Sequence, residues 1–445
     1  MGARAVVPRT WLRWRGLVCG LRLASARRSP FVLDAVRHLV LNRCPMGTPG
    51  VCARFPYTLG RSIMEGEVRR RLRLGFIGGG LNSAVGRAHA VASQMDGRWE
   101  LVAGAFSTHG DVNRQTGTTW GVDPARVYES GTELLDKESG RLDAVVVLTP
   151  TPQHEEQVSA LLSAGYDVIS EKSLAGTSQA ALDLYEFASA QQKFLAVIYN
   201  YSGYPMIREL RARIGNGELG RVLAVHVEMP SEWYVRRDAE GRPIQPQEWR
   251  QHDGAIPMLS LDLGTHAHHL VSFILRTEPL ELVATQAHHG AVGTVTDYAS
   301  CLARYPDAVD VNMWFGKCAL GTRNGLRLRV YGELAAAEWM QMNPEEMRFS
   351  DARGDIRVVD RASPGTLVAS LPRYERFKVG HPSGFLEAFA NLYWDLADSV
   401  RDFREDGRFS SEYVCGARQA ADGLRMMEAI ALSAATRGWC EVGHE

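Results

Sequence analysis

An apolar strand that runs directly into a cluster of glycines is the feature that most constrains this chain. Residues 72–89 read LRLGFIGGGLNSAVGRAH, in which glycines at 78–80 end the apolar run and a polar turn leads into a helix. Glycine permits the tight turn and close backbone approach that a pyrophosphate requires, and the following helix N-terminus favours its charge. In G-x-G-x-x-G the third glycine would fall at Ser83, whereas the next glycine is Gly86. The segment therefore predicts a dinucleotide site with a lengthened phosphate loop.

Apolar strands alternate with amphipathic helices as far as residue 199. We predict strands at 72–77, 99–106, 142–148, 167–170 and 194–199, with helices at 86–95, 131–137, 153–164 and 178–191. This alternation is typical of a parallel, doubly wound sheet with right-handed crossovers.

Beyond residue 200 the pattern changes to strand-like runs separated by turn residues. These runs lie at 222–229, 281–287, 296–305, 308–315, 326–331 and 335–341, and two helices at 385–401 and 411–437 end the chain. They indicate a large, mostly antiparallel open sheet. We therefore predict an α/β protein with an N-terminal Rossmann domain at 71–195 and a C-terminal α+β domain for substrate binding and oligomerisation at 196–445.

The first 63 residues differ in composition from the rest of the chain, since they are rich in arginine and contain a single acidic residue, Asp34. A transit peptide has this composition. An upstream in-frame extension, with translation starting at Met64, explains it as well. We favour the extension and expect residues 1–63 to be poorly ordered.

Charge and cysteine content exclude several classes of function. A net charge of −1 gives no reason to expect nucleic acid or an anionic membrane as a partner. The apolar runs are shorter than the roughly 18 residues that a membrane helix needs. Seven cysteines without a C-x-x-C pair fit neither a zinc site nor a disulfide framework. We therefore expect a cytoplasmic protein with no metal site and no nucleic-acid or membrane partner.

Three further motifs carry groups suited to chemistry. The segments TPTPQH (149–154) and EKS (171–173) each follow a predicted strand, at the sheet edge where open α/β sheets bind ligands. The motif DLGTH places Asp262 and His266 four residues apart, on one helix face. Histidine suits proton transfer near neutrality, and a nearby carboxylate can orient it. In isolation each motif also fits a structural role, as a solvated ion pair, a helix cap or a core histidine.

Together the motifs GFIGGG, TPTPQH, EKS and DLGTH, in this order and spacing, resemble the Gfo/Idh/MocA family of NAD(P)-dependent sugar oxidoreductases. The resemblance extends from residue 72 to the C-terminal helices. The E-K-P signature of the family has Ser173 in place of proline here, whereas its D-x-G-x-H signature is matched fully. A subgroup with a lengthened glycine loop followed by G-x-x-H matches Gly86 and His89.

The resemblance implies hydride transfer between a secondary hydroxyl of a sugar, cyclitol or sugar derivative and the nicotinamide. His266 would be the general base, Lys172 would hydrogen-bond the same oxygen, and Asp262 would orient the substrate or the imidazole. NAD is the expected cofactor, with NADP left open, because the predicted second strand ends in neither an acid nor a basic pair. The resemblance also implies a homo-oligomer, a dimer or tetramer formed through the C-terminal sheet.

The candidate site residues fall into two sets. The cofactor set is Gly78, Gly80, Asn82, Ser83, Ala84, Val85, Ser107, Thr149, Pro150, Thr151, His154, Glu171, Lys172 and Asn200. The substrate set is Lys172, Tyr201, Tyr204, Trp233, Trp249, Asp262 and His266.

Two other functions stay open at this point. One is an NAD-dependent glycoside hydrolase that oxidises the sugar ring transiently, eliminates the aglycone and reduces the ring again. The other is a non-catalytic cofactor-binding sensor.

Overall fold

The structure is a computed structural model that describes residues 70–83, 85–409 and 411–443. Our expectation for residues 1–63 and the candidate Ala84 lie outside the described residues. Among those described, no helix is long and apolar enough to cross a membrane.

The strands and helices are numbered here in chain order. The strands are β1 (Leu72–Gly78), β2 (Trp99–Ala105), β3 (Ala144–Leu148), β4 (Val168–Glu171), β5 (Leu195–Ile198), β6 (Val222–Pro230), β7 (Glu281–Ala287), β8 (Tyr298–Tyr305), β9 (Val309–Gly316), β10 (Arg327–Gly332), β11 (Ala335–Met340), β12 (Asn343–Asp351), β13 (Ile356–Asp360), β14 (Cys415–Gly416) and β15 (Cys440–Glu441). The helices are α1 (Gly86–Gln94), α2 (Gly110–Trp120), α3 (Gly131–Lys137), α4 (His154–Ser163), α5 (Ser178–Ala190), α6 (Pro205–Gly215), α7 (Thr265–Leu275), α8 (Phe385–Asp406) and α9 (Ala417–Thr436).

The first sheet is the predicted Rossmann sheet. Its strand order is β14-β5-β4-β3-β1-β2, and every pair is parallel except the short β14, which runs antiparallel to β5. Strand β3 reads AVVVL and is buried along its whole length, as a central parallel strand covered on both faces requires. The carboxyl ends of β1, β3 and β4 thus lie at one edge, where the predicted ligand loops begin.

The second sheet is the predicted open sheet, with strand order β13-β12-β11-β10-β6-β9-β8-β7-β15. All pairs are antiparallel except β6 with β9. Helices α7 and α9 pack on one face of this sheet. The predicted fold class is therefore confirmed.

The long helix α8 covers one face of the first sheet although it lies near the end of the chain. Its residues Tyr393, Leu396 and Val400 share an apolar cluster with β1 and β2. The Trp99 indole Nε1 donates to the Tyr393 carbonyl (2.8 Å). At the far end of α8, Arg404 donates to Asp143 Oδ1 (3.0 Å).

The sequence analysis missed α2, β12 and β13. Helix α2 reads GDVNRQTGTTW, in which glycine, threonine and asparagine are weak helix formers, so local propensity gives little signal. Tertiary contacts hold it instead, because the Asn113 side chain accepts from the Phe106 amide and donates to the Tyr128 carbonyl (both 2.7 Å). Strand β13 lies at the sheet edge and is mostly exposed, so it lacks an apolar alternation.

Candidate active site

The glycine turn after β1 has the geometry that a dinucleotide requires. Gly78 and Gly79 have φ of 81° and 73°, a region that favours glycine. A Cβ at Gly86 would lie 1.8 Å from the Gly79 carbonyl oxygen, so only glycine lets α1 begin against this turn. In the usual motif the third glycine allows this close packing of helix and turn. Gly86 has that role here, three residues after position 83, where the usual motif has its third glycine. The loop from 78 to 86 is a fitting cradle for a pyrophosphate at a helix N-terminus.

The other cofactor candidates lie along the same sheet edge. Thr149, Pro150 and Thr151 follow β3 directly. His154 is buried, and its Nδ1 and Nε2 each lie 2.7 Å from a backbone carbonyl oxygen, of Ser173 and Thr149 respectively. Burial lowers the pKa of His154. This ring therefore holds the loops after β3 and β4 together.

The remaining members of that set surround the edge. Ser107 follows β2, and its Oγ accepts from the His109 amide (3.1 Å). The amide of Ser83 donates to the Gly80 carbonyl (2.7 Å). Asn200 is buried, and its Nδ2 has no hydrogen-bond partner among the described residues. Asn82 and Val85 belong to the same loop between β1 and α1.

A buried network positions the end of β4. Glu171 Oε1 lies 2.9 Å from His89 Nε2, and His89 Nδ1 lies 2.7 Å from the Tyr393 hydroxyl. The other Glu171 oxygen accepts from the Lys172 amide (3.1 Å). The Lys172–Ser173 peptide bond is cis. The network links α1, β4 and α8 at the residue before Lys172.

Three cations converge on the Asp262 carboxylate. Lys172 Nζ donates to Oδ1 (3.0 Å) and to the Asp262 carbonyl (2.8 Å). Lys317 Nζ and Arg250 each donate to Oδ2 (2.6 Å). Asp262 lies in a π-helical turn, Ser260–Gly264, that leads into α7, and such turns are frequent at functional sites.

The electrostatics of this cluster keep its central carboxylate ionised. Burial raises the pKa of Asp262, but the charges of the three cations outweigh it and hold that pKa well below its ordinary value. Burial also lowers the pKa of Lys317, against the opposing attraction of Asp262. The cluster therefore carries one negative and up to three positive charges in a partly enclosed space.

His266 lies one turn beyond Asp262 and is buried. Its ring contacts those of Tyr199 and Tyr201 edge-on, at centroid distances of 5.7 and 4.8 Å. Burial, reinforced by the charge of Lys172, lowers the pKa of His266 well below its usual range. Its Nδ1 has no hydrogen-bond partner within the part of the chain that the structure describes. The ring is thus a neutral imidazole, able to accept a proton.

The aromatic candidates divide into two groups. Tyr201 packs on His266 and its hydroxyl accepts from Asn324 (3.2 Å), while the Trp249 ring lies under the Arg250 guanidinium, 4.2 Å away. Both therefore border the cluster. Tyr204 instead packs on the buried Trp339, 5.2 Å between ring centroids. Trp233 is 51% exposed and stacks on Arg236.

Sequence reasoning missed Lys317 and Arg250. Lys317 directly follows the apolar strand β9 and is buried, a position at which lysine is rare unless it is paired. A lysine directly after an apolar strand is the sequence signal that could have indicated Lys317. Arg250 lies in a polar loop, in the turn Glu248–Gln251, where nothing in the local sequence distinguishes it from its neighbours.

Comparison with known proteins identifies the family. A model described as an oxidoreductase family with an NAD-binding Rossmann fold matches residues 72–199, and a Gfo/Idh/MocA C-terminal domain model matches residues 207–338. The chain belongs to the Gfo/Idh/MocA oxidoreductase family. The two models match in the order of the two sheets described above, and the family resemblance drawn from the motifs is confirmed, while the subgroup with a lengthened glycine loop stays a prediction.

Three relatives match over most of their length. An uncharacterized oxidoreductase, YfiI, of Bacillus subtilis is 29% identical over 84% of this chain and 97% of its own. A solved oxidoreductase from Sinorhizobium meliloti is 30% identical, with a TM-score of 0.73, over 84% and 100% of the two chains. An inositol dehydrogenase homolog from Azotobacter vinelandii, solved with NADH and myo-inositol, is 29% identical, with a TM-score of 0.75, over 84% and 98%. The chain is an NAD-dependent oxidoreductase acting on CH–OH groups, and the cofactor prediction of NAD is confirmed.

Among the described residues, no three histidine, cysteine, aspartate or glutamate side chains cluster so as to hold a metal ion.

Proposed function

We propose that this enzyme oxidises a secondary hydroxyl of a sugar, cyclitol or sugar derivative and passes the hydride to NAD. The observation that carries the proposal is the convergence of Lys172, Asp262 and His266, three residues from two motifs 90 positions apart. Lys172 Nζ lies 3.0 Å from Asp262 Oδ1, and His266 follows one helical turn later. The inositol dehydrogenase homolog, with bound NADH and myo-inositol, supports a polyol as the class of substrate.

Each of the three residues has a role that its environment supports. His266 is neutral, so it can take the proton of the substrate hydroxyl as general base. Lys172 donates to the same oxygen and stabilises the negative charge that develops there. Asp262 accepts from Lys172 and keeps its ammonium group at the reaction site.

NAD, when bound, supplies the nicotinamide ring that accepts the hydride. The glycine turn would hold its pyrophosphate, since Gly78 and Gly79 let the chain turn tightly and Gly86 lets the N-terminus of α1 approach the turn. The loops after β3 and β4, held together by His154, would border the nicotinamide. Asn200 follows β5, and its Nδ2, which has no hydrogen-bond partner among the described residues, would donate to the cofactor.

The named relatives favour net oxidation over the two other functions considered above. A glycosidase that re-reduces its substrate releases an aglycone without net NADH, whereas a dehydrogenase forms NADH in proportion to the alcohol consumed. A sensor would need neither a neutral base nor a lysine beside it.

The test is to incubate the purified protein with NAD and a panel of sugars and cyclitols, and to follow NADH absorbance. We expect at least one polyol to give NADH in a one-to-one ratio with the ketone formed. Release of an aglycone from aryl glycosides without net NADH would contradict the proposal.

We also propose that the protein is a homo-oligomer, a dimer or tetramer, formed through the outward face of the second sheet. Leu302, Tyr331 and Val358 project from this face and are all exposed. Light scattering coupled to size-exclusion chromatography tests this, since Leu302→Lys should lower the mass of the assembly. A monomeric wild-type protein at micromolar concentration would refute it.

A further inference from the structure

The cation cluster around Asp262 holds more positive charge than a neutral polyol needs. Lys172, Lys317 and Arg250 all donate to one carboxylate, which leaves two positive charges without a matching acid inside the cluster. The catalytic scheme above uses only Lys172. Lys317 and Arg250 therefore need another explanation.

Among the described contacts, the neighbouring acids form no ion pair with these three cations, and their oxygens accept hydrogen bonds from other groups. Asp253 accepts from the amides of Met258 and Thr296 (both 2.8 Å). Asp297 accepts from the amides of residues 289 and 290 (2.9 and 2.5 Å). Glu171 faces His89 and the Lys172 amide.

The geometry separates the cluster from the phosphates of the cofactor. Lys172 follows β4, whereas the glycine turn follows β1, and β3 lies between these two strands. Two strand spacings amount to about 10 Å. The adenosine ribose, expected at the end of β2, lies one strand farther still. The anion that would match the surplus charge is thus not a group of NAD.

We infer that the substrate carries an anionic group, a carboxylate or a phosphate, that Lys317 and Arg250 bind. This inference rests on the proposed function and specifies its substrate class. A planar guanidinium binds carboxylate or phosphate oxygens in pairs, and a lysine adds a point charge. The Tyr234 hydroxyl accepts from Lys317 Nζ (3.4 Å) and donates to the Arg250 carbonyl oxygen (3.2 Å), so it links the two residues that bear these cations.

Lys317 is buried and Arg250 is partly exposed, a difference that suits the binding and release of an anionic substrate. Lys317 is buried after β9 and its Nζ lies 4.7 Å from the Tyr234 ring centroid. Arg250 sits in the 231–257 loop, on the Trp249 ring, with 27% of its side chain exposed. When an anionic substrate enters, Arg250 can exchange the Asp262 carboxylate for the anion. Lys317 keeps its bond to Asp262 and donates another N–H to the anion.

The test compares neutral and anionic sugars that share a ring. The panel pairs D-glucose with D-glucuronate and D-glucose 6-phosphate, D-galactose with D-galacturonate, and myo-inositol with myo-inositol 1-phosphate. For the wild type we expect kcat/KM for the best anionic sugar to exceed that of its neutral partner by at least about tenfold. A hydrogen bond to a charged group contributes about as much free energy as a tenfold change in kcat/KM, or more. The carboxylate and phosphate members of the panel tell which anion is preferred.

Arg250→Gln provides the second measurement. It should lower kcat/KM about 10- to 100-fold more for the anionic sugar than for the neutral partner, mainly through KM. Arg250→Lys should restore part of the loss. The matched control is Arg242→Gln in the same loop, because Arg242 is 72% exposed and pairs only with Asp238 and Glu240 among the described contacts.

The possible failures are distinguishable. Neutral sugars that turn over as well as or better than their anionic partners would overturn this inference and leave the proposed function intact. An equal loss for both classes in Arg250→Gln would also overturn it, because it would assign Arg250 to holding Asp262 alone. Absence of NADH formation from every sugar in the panel would overturn the proposed function itself, and this inference with it.

Discussion

Replacing Gly86 by alanine tests whether the glycine turn is built as a cofactor cradle. A Cβ there would lie 1.8 Å from the Gly79 carbonyl oxygen, and real Cβ atoms essentially never lie closer than 3.0 Å to a neighbour. Helix α1 and the turn must therefore separate by about 1.2 Å. A misplacement of about 1 Å in a binding site costs about a hundredfold in rate. We expect kcat/KM for NAD to fall about 100-fold in Gly86→Ala, mainly through weaker NAD binding.

Isothermal titration calorimetry with NAD measures this effect directly, and circular dichroism checks that the variant is folded. The matched control is Gly438→Ala, because a Cβ at Gly438 meets nothing within 4 Å. A Gly86→Ala protein that is folded and binds NAD with the wild-type Kd would refute the reasoning. It would mean that the pyrophosphate does not depend on the close approach of α1 to the turn.

Three further predictions concern charged groups. Lys172→Ala should lower kcat about 10²- to 10³-fold with NAD binding retained, because the developing oxyanion loses one hydrogen-bond donor. The exposed control Lys137→Ala should leave kcat unchanged. A near-normal kcat in Lys172→Ala would remove Lys172 from the mechanism. The pKa of His266 lies well below its ordinary value of 6.5, so kcat/KM for the polyol should stay constant as the pH is lowered to 6.5. A fall in kcat/KM with a midpoint above pH 6.5 would contradict a neutral base. Burial opposes ionisation of Asp143, but hydrogen bonds from three arginines outweigh it and lower the pKa of this carboxyl. Asp143→Asn should therefore reduce the free energy of unfolding by about 2 kcal/mol at pH 7, and this difference should shrink as the pH falls below about 4. Urea titrations that show the same difference at every pH would exclude this linkage.

The parallel sheet could be predicted because its strands are short, buried and separated by helices with clear periodicity. The motif residues Lys172, Asp262 and His266 could be placed together only through the family that their motifs resemble, since each motif alone also fits a structural role. Helix α2 could not, because its stability comes from Asn113 and packing rather than from propensity. The edge strand β13 and its neighbour β12 lack the burial that produces an apolar alternation.

The charge of the site was the least predictable part. Lys317 lies 55 residues after Asp262, and Arg250 lies 12 residues before it in a loop. No periodicity relates such positions, so only the folded chain brings them to one carboxylate. The motifs thus indicated the class of reaction through the family that they resemble, whereas the two cations on which the inferred substrate class rests meet only through contacts distant in sequence.

The packing of α8 on the first sheet has a consequence for how the chain is made. Trp99 donates to the carbonyl of Tyr393, 294 positions later. At about 5 to 20 residues per second, a ribosome adds those residues in about 15 to 60 s. Strands β1 to β5 are complete at residue 198, so in the later part of that interval the apolar surface that α8 covers is still exposed. The nascent protein is therefore expected to need a chaperone to shield that surface until translation has passed residue 406.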